Sequence, residues 1–192
     1  MIVEERKGPW MQGYSGRSLW PLDLREEDIC PFEIAHSISM QCRYGGHCIR
    51  FLSVAEHCCL MSDVAPKGVK LTALMHDAGE TYLSDVPKPL KPSLLNYYDI
   101  ERSIDRPIAR KYGLVWDEHE GWSPIVQELD VRILLDERNQ NMGPSPRPPG
   151  DGWPDHVEPL GVTLQYWTPE EAEKEWLDRF YYLWRKPNSL LR

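Results

Sequence analysis

Helix start signals recur along this chain and constrain its fold more than any other feature. Ser53 is followed three residues later by Glu56, which is the spacing of a capping box. Ser123-Pro124 and Thr168-Pro169 each place an N-cap residue before a proline at the first helical position. No alternation of strands with helices accompanies these signals, so the sequence predicts an all-α fold.

Apolar periodicity, together with glycine and proline breaks, gives approximate bounds for the predicted helices. They are expected over about residues 31–44, 54–64, 69–80, 94–112, 123–141 and 168–184. Pro107 predicts a kink or a break in the fourth of them. The other segments are expected to be a coil or short hairpin before residue 31, an extended loop over 81–92, a Pro/Gly-rich loop over 143–159 and a β-like piece over 162–167. We expect one domain over residues 1–192, with its core at about 30–142.

The composition excludes some classes of partner. A net charge of −8 argues against binding to long nucleic acid, because such proteins usually cluster Lys and Arg on one face. No apolar run approaches the roughly 20 residues that span a bilayer. The first residues lack the apolar core of a secretory signal, so we expect a cytoplasmic protein that does not contact a membrane. The five cysteines contain no C-x-x-C pair and are expected to be reduced thiols.

The doublet His76-Asp77 interrupts the apolar side of the predicted helix 69–80. A His and an Asp that face a packed interior need a group that neutralises and orients them. A divalent metal does so, because imidazole nitrogen and carboxylate oxygen both ligate first-row ions. A buried hydrogen bond between the two side chains explains the doublet equally well when it is taken alone.

Two further residues stand where they can complete a metal site. His57 lies one turn into a predicted helix, and Asp130 has apolar neighbours within another. Metal sites in helical bundles are built from side chains on facing helices. The order of His57, His76-Asp77 and Asp130 on separate helices resembles the HD-domain metal-dependent phosphohydrolases. The resemblance covers roughly residues 30–140.

The resemblance extends to residues around the doublet. Arg43 stands fourteen residues before His57, while Glu80, Asp85 and Pro87-x-Pro89-x-Lys91 follow the doublet. This arrangement is similar to that of small bacterial and phage HD-domain proteins that act as 5′-deoxynucleotidases. It implies an HD-domain helical bundle with a small irregular or hairpin insertion. It also implies that one divalent ion is ligated by His57, His76, Asp77 and Asp130.

The remaining roles follow from position relative to that ion. A divalent ion lowers the pKa of water and screens the charge on phosphate. Glu80, one helical turn after the doublet, and Asp85 are the two candidates for the accompanying proton transfer. Arg43 is expected to clamp phosphate with two parallel hydrogen bonds. Further substrate contacts are expected from Tyr44, which can stack on a base or sugar, and from His47, Arg50, Lys88 and Lys91.

The resemblance implies hydrolysis of deoxynucleoside 5′-monophosphates to nucleoside and phosphate. One alternative is release of triphosphate from a deoxynucleoside triphosphate, for example dATP, at the same metal site. Another is a non-catalytic HD-domain protein that senses a nucleotide. Cobalt, manganese, zinc and magnesium all suit a site of two histidines and two aspartates. A homodimer or a higher even-numbered homo-oligomer is an expectation from the family.

Overall fold

The computed structural model describes residues 5–145, 147–148, 152–154 and 156–185, and most of this part of the chain is helical. This agrees with the predicted all-α fold, and only two two-stranded sheets occur among the described residues. The helices are α1 Pro31–Met40, α2 Val54–Val64, α3 Lys70–Met75, α4 Glu80–Leu83, α5 Tyr97–Tyr112, α6 Pro124–Asn141 and α7 Pro169–Trp184. Single 3-10 turns cover Pro21–Asp23, Arg43–Gly46 and Lys91–Ser93.

Two antiparallel hairpins of two-residue strands complete the described structure. The first pairs β1 Met11–Gln12 with β2 Ser18–Leu19, which confirms the hairpin expected before residue 31. The second pairs β3 Trp116–Asp117 with β4 Gly121–Trp122, between α5 and α6. The sequence analysis did not anticipate this second hairpin.

The predicted helix starts are confirmed at all three capped positions. The Ser53 hydroxyl accepts a hydrogen bond from the backbone N of Glu56 at 3.0 Å. The Ser123 hydroxyl accepts from the backbone N of Val126 at 3.4 Å. Thr168 and Glu171 form a reciprocal capping box at the start of α7. Each side chain satisfies a backbone N–H that has no partner within its own helix.

Helix α2 lies in the middle of the bundle and packs against α1, α3, α6 and α7. Nine consecutive residues of this helix, 54–62, are buried. The core on one side includes Trp176 and Phe180 of α7, whose rings stack at 5.4 Å, and the Trp176 indole donates to the carbonyl of Leu74 at 3.0 Å. No helix in the described ranges is long and apolar enough to cross a bilayer.

The helix predicted over residues 69–80 is wrong as a single element. Helix α3 ends at Met75, and residues 76–79 form a tighter turn before α4 begins at Glu80. In this turn the backbone N of Ala78 donates to Met75 O, and that of Glu80 donates to Asp77 O. These three-residue hydrogen bonds replace the four-residue bonds of an α-helix. The His-Asp doublet therefore lies in this turn rather than within an α-helix.

Other predicted bounds also need correction. The loop expected over 81–92 is helical at its start, where α4 continues to Leu83, and it enters a 3-10 turn at Lys91. The first predicted helix ends at Met40 rather than at residue 44. Helix α5 begins at Tyr97 and runs through Pro107 as one element, so the predicted break does not occur.

The β-like piece expected over 162–167 is not a strand, because a buried carboxylate takes the place of a neighbouring strand. Oε1 of Glu56 accepts from the backbone N of Gln165 at 2.7 Å and of Tyr166 at 3.0 Å. Oε2 of Glu56 accepts from the backbone N of Trp167 at 2.7 Å. The extended segment before α7 is therefore attached to the central helix α2.

Replacing Glu56 with Gln is expected to destabilise the fold strongly. The amide has one acceptor oxygen for three backbone donors, so at least one buried N–H loses its partner, at a cost of about 1–3 kcal/mol. Urea unfolding followed by circular dichroism measures the loss. Glu171→Gln, at the exposed capping box, is the matched control and should cost less. Equal unfolding midpoints for Glu56→Gln and the parent would contradict this account.

Candidate metal centre

The four predicted metal ligands come together between α2, α6 and the turn after α3. Nε2 of His57 lies 3.3 Å from Oδ1 of Asp130 and 3.6 Å from Oδ2 of Asp77. Nε2 of His76 lies 3.1 Å from Oδ1 of Asp77 and 3.9 Å from Oδ1 of Asp130. One atom each from His57, His76 and Asp130 lie within 4.8 Å of one another. These four side chains form one cluster, and they are close enough to hold one metal ion.

The other ring nitrogens of the two histidines are held by the protein. Nδ1 of His57 lies 2.7 Å from Oε1 of Glu137, and Nδ1 of His76 lies 2.9 Å from the carbonyl of Ala73. A proton on each Nδ1 leaves the lone pair of Nε2 directed at the cluster. Both Nε2 atoms are buried, and neither has a hydrogen-bond partner in the described part of the chain. Two partnerless imidazole nitrogens beside two carboxylates fit a divalent cation.

A second grouping of possible ligands, Cys58 with His76 and Asp77, fits a cation less well. The Cys58 sulfur lies 3.9 Å from Nδ1 of His76, the nitrogen that the Ala73 carbonyl already occupies. Burial raises the pKa of the Cys58 thiol to about 11, so it stays protonated at neutral pH. The Cys58 side chain is fully buried in the hydrophobic core beside the centre.

The electrostatics of the cluster favour a bound positive charge. Burial and the charge of Arg43 act to lower the pKa of His57, but Glu137 and Asp130 outweigh them and raise it. Burial also opposes ionisation of His76, but the charge of Asp77 raises its pKa well above the ordinary value. Protons on the imidazoles or one cation shared by the four side chains can supply this charge.

A cavity of about 180 Å³ opens beside the cluster. Its lining includes three of the ligands, the expected proton-transfer residue, and residues from α5, α6 and the second hairpin. These residues are His76, Asp77, Gly79, Glu80, Leu83, Lys91, Tyr97, Glu101, Asp105, Trp122, Val126, Gln127 and Asp130. Three of the four predicted metal ligands thus form part of the wall of this cavity.

Glu80 lies where the sequence analysis placed it, in the wall of this cavity next to the doublet. Its Oε2 atom is buried and has no hydrogen-bond partner within the described residues. Burial and the charges of Asp77 and Asp85 raise the pKa of Glu80 well above the ordinary value. A carboxyl group whose pKa is raised retains its proton at higher pH than an ordinary glutamate, and this suits proton donation.

The second proton-transfer candidate, Asp85, does not line the cavity. It is half-buried, and the side chain of Gln41 accepts a hydrogen bond from its backbone N at 2.9 Å. Burial raises the pKa of the Asp85 carboxyl, with Arg43 opposing and Asp77 adding to the effect. The geometry therefore favours Glu80 over Asp85 for contact with a bound molecule.

Arg43 is buried beside the cluster, in the 3-10 turn after α1. Its Nε donates to Oε2 of Glu137 at 3.1 Å, and its Nη1 lies 3.7 Å from Oδ2 of Asp77. Tyr44 has left-handed backbone, with φ 59°, and its hydroxyl donates to the same Oε2. The predicted stacking of Tyr44 on a base or sugar stays a prediction.

The other predicted substrate contacts lie in different places. Lys91 lines the cavity, and its Nζ is 2.8 Å from Oε1 of Glu101. The Arg50 guanidinium lies over the ring of Tyr166, 3.8 Å from its centroid. His47 and Lys88 are exposed, and neither they nor Arg50 contributes to the cavity lining. The structure brings only Lys91 of these four to the cavity.

Sequence reasoning missed Glu137 and Asp105. Glu137 follows Asp130 by seven residues, which is two helical turns, so both lie on one face of α6. The seven-residue spacing could therefore have indicated Glu137 from the sequence. Arg43 and His57 outweigh burial and lower the pKa of Glu137 to about 2, so this buried carboxylate is charged. Asp105 of α5 faces the doublet turn, and no local pattern in the sequence marks it.

Comparison with known proteins finds similarity without an assigned function. No family model matches the chain. The chain is 41% identical to the uncharacterized protein YfdR of Escherichia coli over 129 residues, which are 67% of this chain and 70% of that protein. It is 31% identical to an uncharacterized protein of Rhodobacter capsulatus over 118 residues, which are 56% of this chain and 60% of that protein.

Replacing His76 with Asn is expected to weaken binding of Co²⁺ at least tenfold. The substitution removes a buried imidazole nitrogen that has no other partner. Isothermal titration of chelator-treated protein with Co²⁺ measures the affinity. His119→Asn, on the exposed loop of the second hairpin, is the control and should match the parent. Unchanged affinity in the His76 variant would remove His76 from the centre.

Replacing Gly79 with Ala is expected to destabilise the fold by about 1–3 kcal/mol, which is typical of overpacking. A Cβ atom on Gly79 would lie 2.3 Å from Oδ1 of Asp105. The backbone of Gly79 is helical, with φ −62°, so without this contact alanine would stabilise the protein. Urea unfolding of Gly79→Ala in the parent and in an Asp105→Ala background should show that the cost falls in the second. Stabilisation in both backgrounds would contradict the close approach.

Proposed function

We propose that this chain, which belongs to the family of the Escherichia coli protein YfdR, is a metal-dependent phosphohydrolase of the HD-domain type. Its proposed reaction releases phosphate from deoxynucleoside 5′-monophosphates. The observation that carries the proposal is the pair of buried Nε2 atoms of His57 and His76. They have no hydrogen-bond partner among the described residues and face two aspartates in the wall of a cavity.

His57, His76, Asp77 and Asp130 would hold the ion. When bound, a divalent ion lowers the pKa of water and screens the negative charge of phosphate. Glu137 and the Ala73 carbonyl hold the Nδ1 atoms, so the two imidazoles are already oriented for this role. Little rearrangement of the protein would accompany binding.

Glu80 supports hydrolysis rather than binding alone. Its carboxyl group lines the cavity beside the doublet and retains a proton at higher pH than an ordinary glutamate. It can donate that proton to the sugar oxygen that leaves from phosphate. A protein that only senses nucleotides would not need a buried acid at this position.

Arg43 is the proposed phosphate contact. Its Nε is occupied by Glu137, so its two terminal nitrogens are the ones that can bind phosphate oxygens. Nη1 already lies 3.7 Å from a ligand carboxylate, Asp77, and is thus close to the centre. A phosphate placed there would contact both the arginine and the ion.

The charges of the cavity wall support a monophosphate substrate. Away from the cluster the wall carries the carboxyl groups of Glu101 and Asp105, and Glu101 is already paired with Lys91. The cations that could hold further phosphates, Arg50 and Lys88, do not line the cavity. Beyond its first phosphate a triphosphate would therefore meet a lysine whose charge is already paired, while a nucleoside would meet Tyr97 and Trp122.

Product analysis tests this function. We expect chelator-treated protein, supplied with Mn²⁺, Co²⁺, Zn²⁺ or Mg²⁺, to convert deoxynucleoside monophosphates to nucleoside and orthophosphate, as followed by phosphorus NMR. Asp77→Asn should abolish turnover. Asp178→Asn, which alters an exposed carboxylate of α7 paired with Lys174, should leave turnover unchanged.

Two outcomes would contradict the proposal in different ways. Release of inorganic triphosphate from a deoxynucleoside triphosphate, with monophosphates left intact, would identify a triphosphohydrolase. Nucleotide binding without turnover under any of the four metals would identify a sensor.

A further inference from the structure

We infer that Glu137 is a positioning residue that holds a metal ligand with one carboxylate oxygen and the phosphate-binding arginine with the other. The inference rests on the proposed function for the role of Arg43. It assigns to one buried side chain of α6 the alignment of both halves of the site. Glu137 has no accessible surface, and its carboxylate is hydrogen-bonded to His57 of the cluster and to Arg43 beside it.

One carboxylate oxygen of Glu137 orients the proposed metal ligand His57. Oε1 of Glu137 lies 2.7 Å from Nδ1 of His57 and accepts a hydrogen bond from its N–H. The ring is then in the tautomer whose Nε2 lone pair faces Asp130 and Asp77. An imidazole without this partner could carry its proton on Nε2 and would then lose its ability to bind a cation.

The other carboxylate oxygen of Glu137 orients Arg43. Oε2 of Glu137 accepts from Nε of Arg43 at 3.1 Å and from the hydroxyl of Tyr44. Because a guanidinium is planar, fixing Nε also fixes the plane in which both Nη atoms lie. Tyr44 reaches the carboxylate from a left-handed backbone conformation that non-glycine residues seldom adopt. The 43–46 turn is thus held in one arrangement by the same carboxylate.

The adjacent residue Asp136 provides a matched comparison, because it is also a buried carboxylate of α6. Its oxygens accept from the backbone N of Leu160 at 2.7 Å and of Gly161 at 3.1 Å. It therefore supports the fold and makes none of the contacts of Glu137. A purely structural role for Glu137 would give the two residues similar mutational effects.

The experiment compares Glu137→Gln with Asp136→Asn in three measurements that need no turnover. They are the thermal unfolding midpoint, the affinity for Co²⁺ by calorimetry, and the affinity of the cobalt-loaded protein for inorganic phosphate. A glutamine has one acceptor oxygen, so it can accept from His57 or from Arg43 but not from both. We expect Glu137→Gln to weaken binding of Co²⁺ or of phosphate about 10–100-fold, as for other residues that orient metal ligands. Asp136→Asn should leave both affinities within about twofold of the parent, since it does not contact the site.

Glu137→Asp serves if the glutamine variant does not fold. It keeps the charge but is one methylene shorter, so it cannot reach both partners, and the same loss of affinity is expected. Parent affinities for both Co²⁺ and phosphate in a folded Glu137 variant would overturn the inference, as would equal losses in the Asp136 variant.

The outcomes separate this inference from the proposed function. If the parent binds Co²⁺ and hydrolyses nucleotides while Glu137→Gln retains both affinities, only the positioning role fails. If Glu137→Gln loses Co²⁺ affinity while the parent hydrolyses no nucleotide, the link to the metal ligand stands and the proposed reaction fails.

Discussion

Residues 54–62 of helix α2 are buried among other helices, so their polar groups need partners inside the protein. Glu56 and His57 are adjacent on this helix, and neither has accessible surface. The Glu56 carboxylate accepts hydrogen bonds from three backbone N–H groups in the segment before α7. Nδ1 of His57 is hydrogen-bonded to Glu137, and Nε2 of the same ring faces Asp130. The positions of α6 and of the chain leading into α7 both follow from these two side chains.

Helix α6 supplies two carboxylates to one place and gives them different tasks. Asp130 faces the cluster, while Glu137, two turns later, lies behind it and holds His57 and Arg43. The two neighbouring histidines outweigh burial and hold the pKa of Asp130 well below its ordinary range. Both carboxylates are therefore charged, and the cluster attracts a cation. A bound cation would reverse the local electric field, and this explains how a protein with net negative charge can bind phosphate.

Local signals made part of this structure predictable from the sequence. The N-caps Ser53, Ser123 and Thr168 act on backbone groups three residues away, so their helices begin where expected. The four cluster residues were found from their order along the chain and their placement in helices. What they bind and what reaction follows were expectations from a family resemblance, and they stay proposals.

The rest depended on contacts between distant segments. The helix broke at residues 76–79, where Gly79 packs against Asp105 of α5, and no local pattern encodes that contact. The segment 162–167 reads as a strand, but its amides bind Glu56, more than a hundred residues away. Glu137 could have been predicted from the sequence, because its seven-residue spacing from Asp130 places both residues on one helical face. Its three partners are set by tertiary structure alone.

Anomalous X-ray diffraction from a crystal grown with Co²⁺, recorded at the cobalt absorption edge, tests the central claim most directly. The account predicts one strong anomalous peak bonded to Nε2 of His57, Nε2 of His76, and carboxylate oxygens of Asp77 and Asp130, with the Nδ1 atom of His57 still on Glu137. A peak bonded through Cys58, or no peak between these four side chains at saturating Co²⁺, would contradict it.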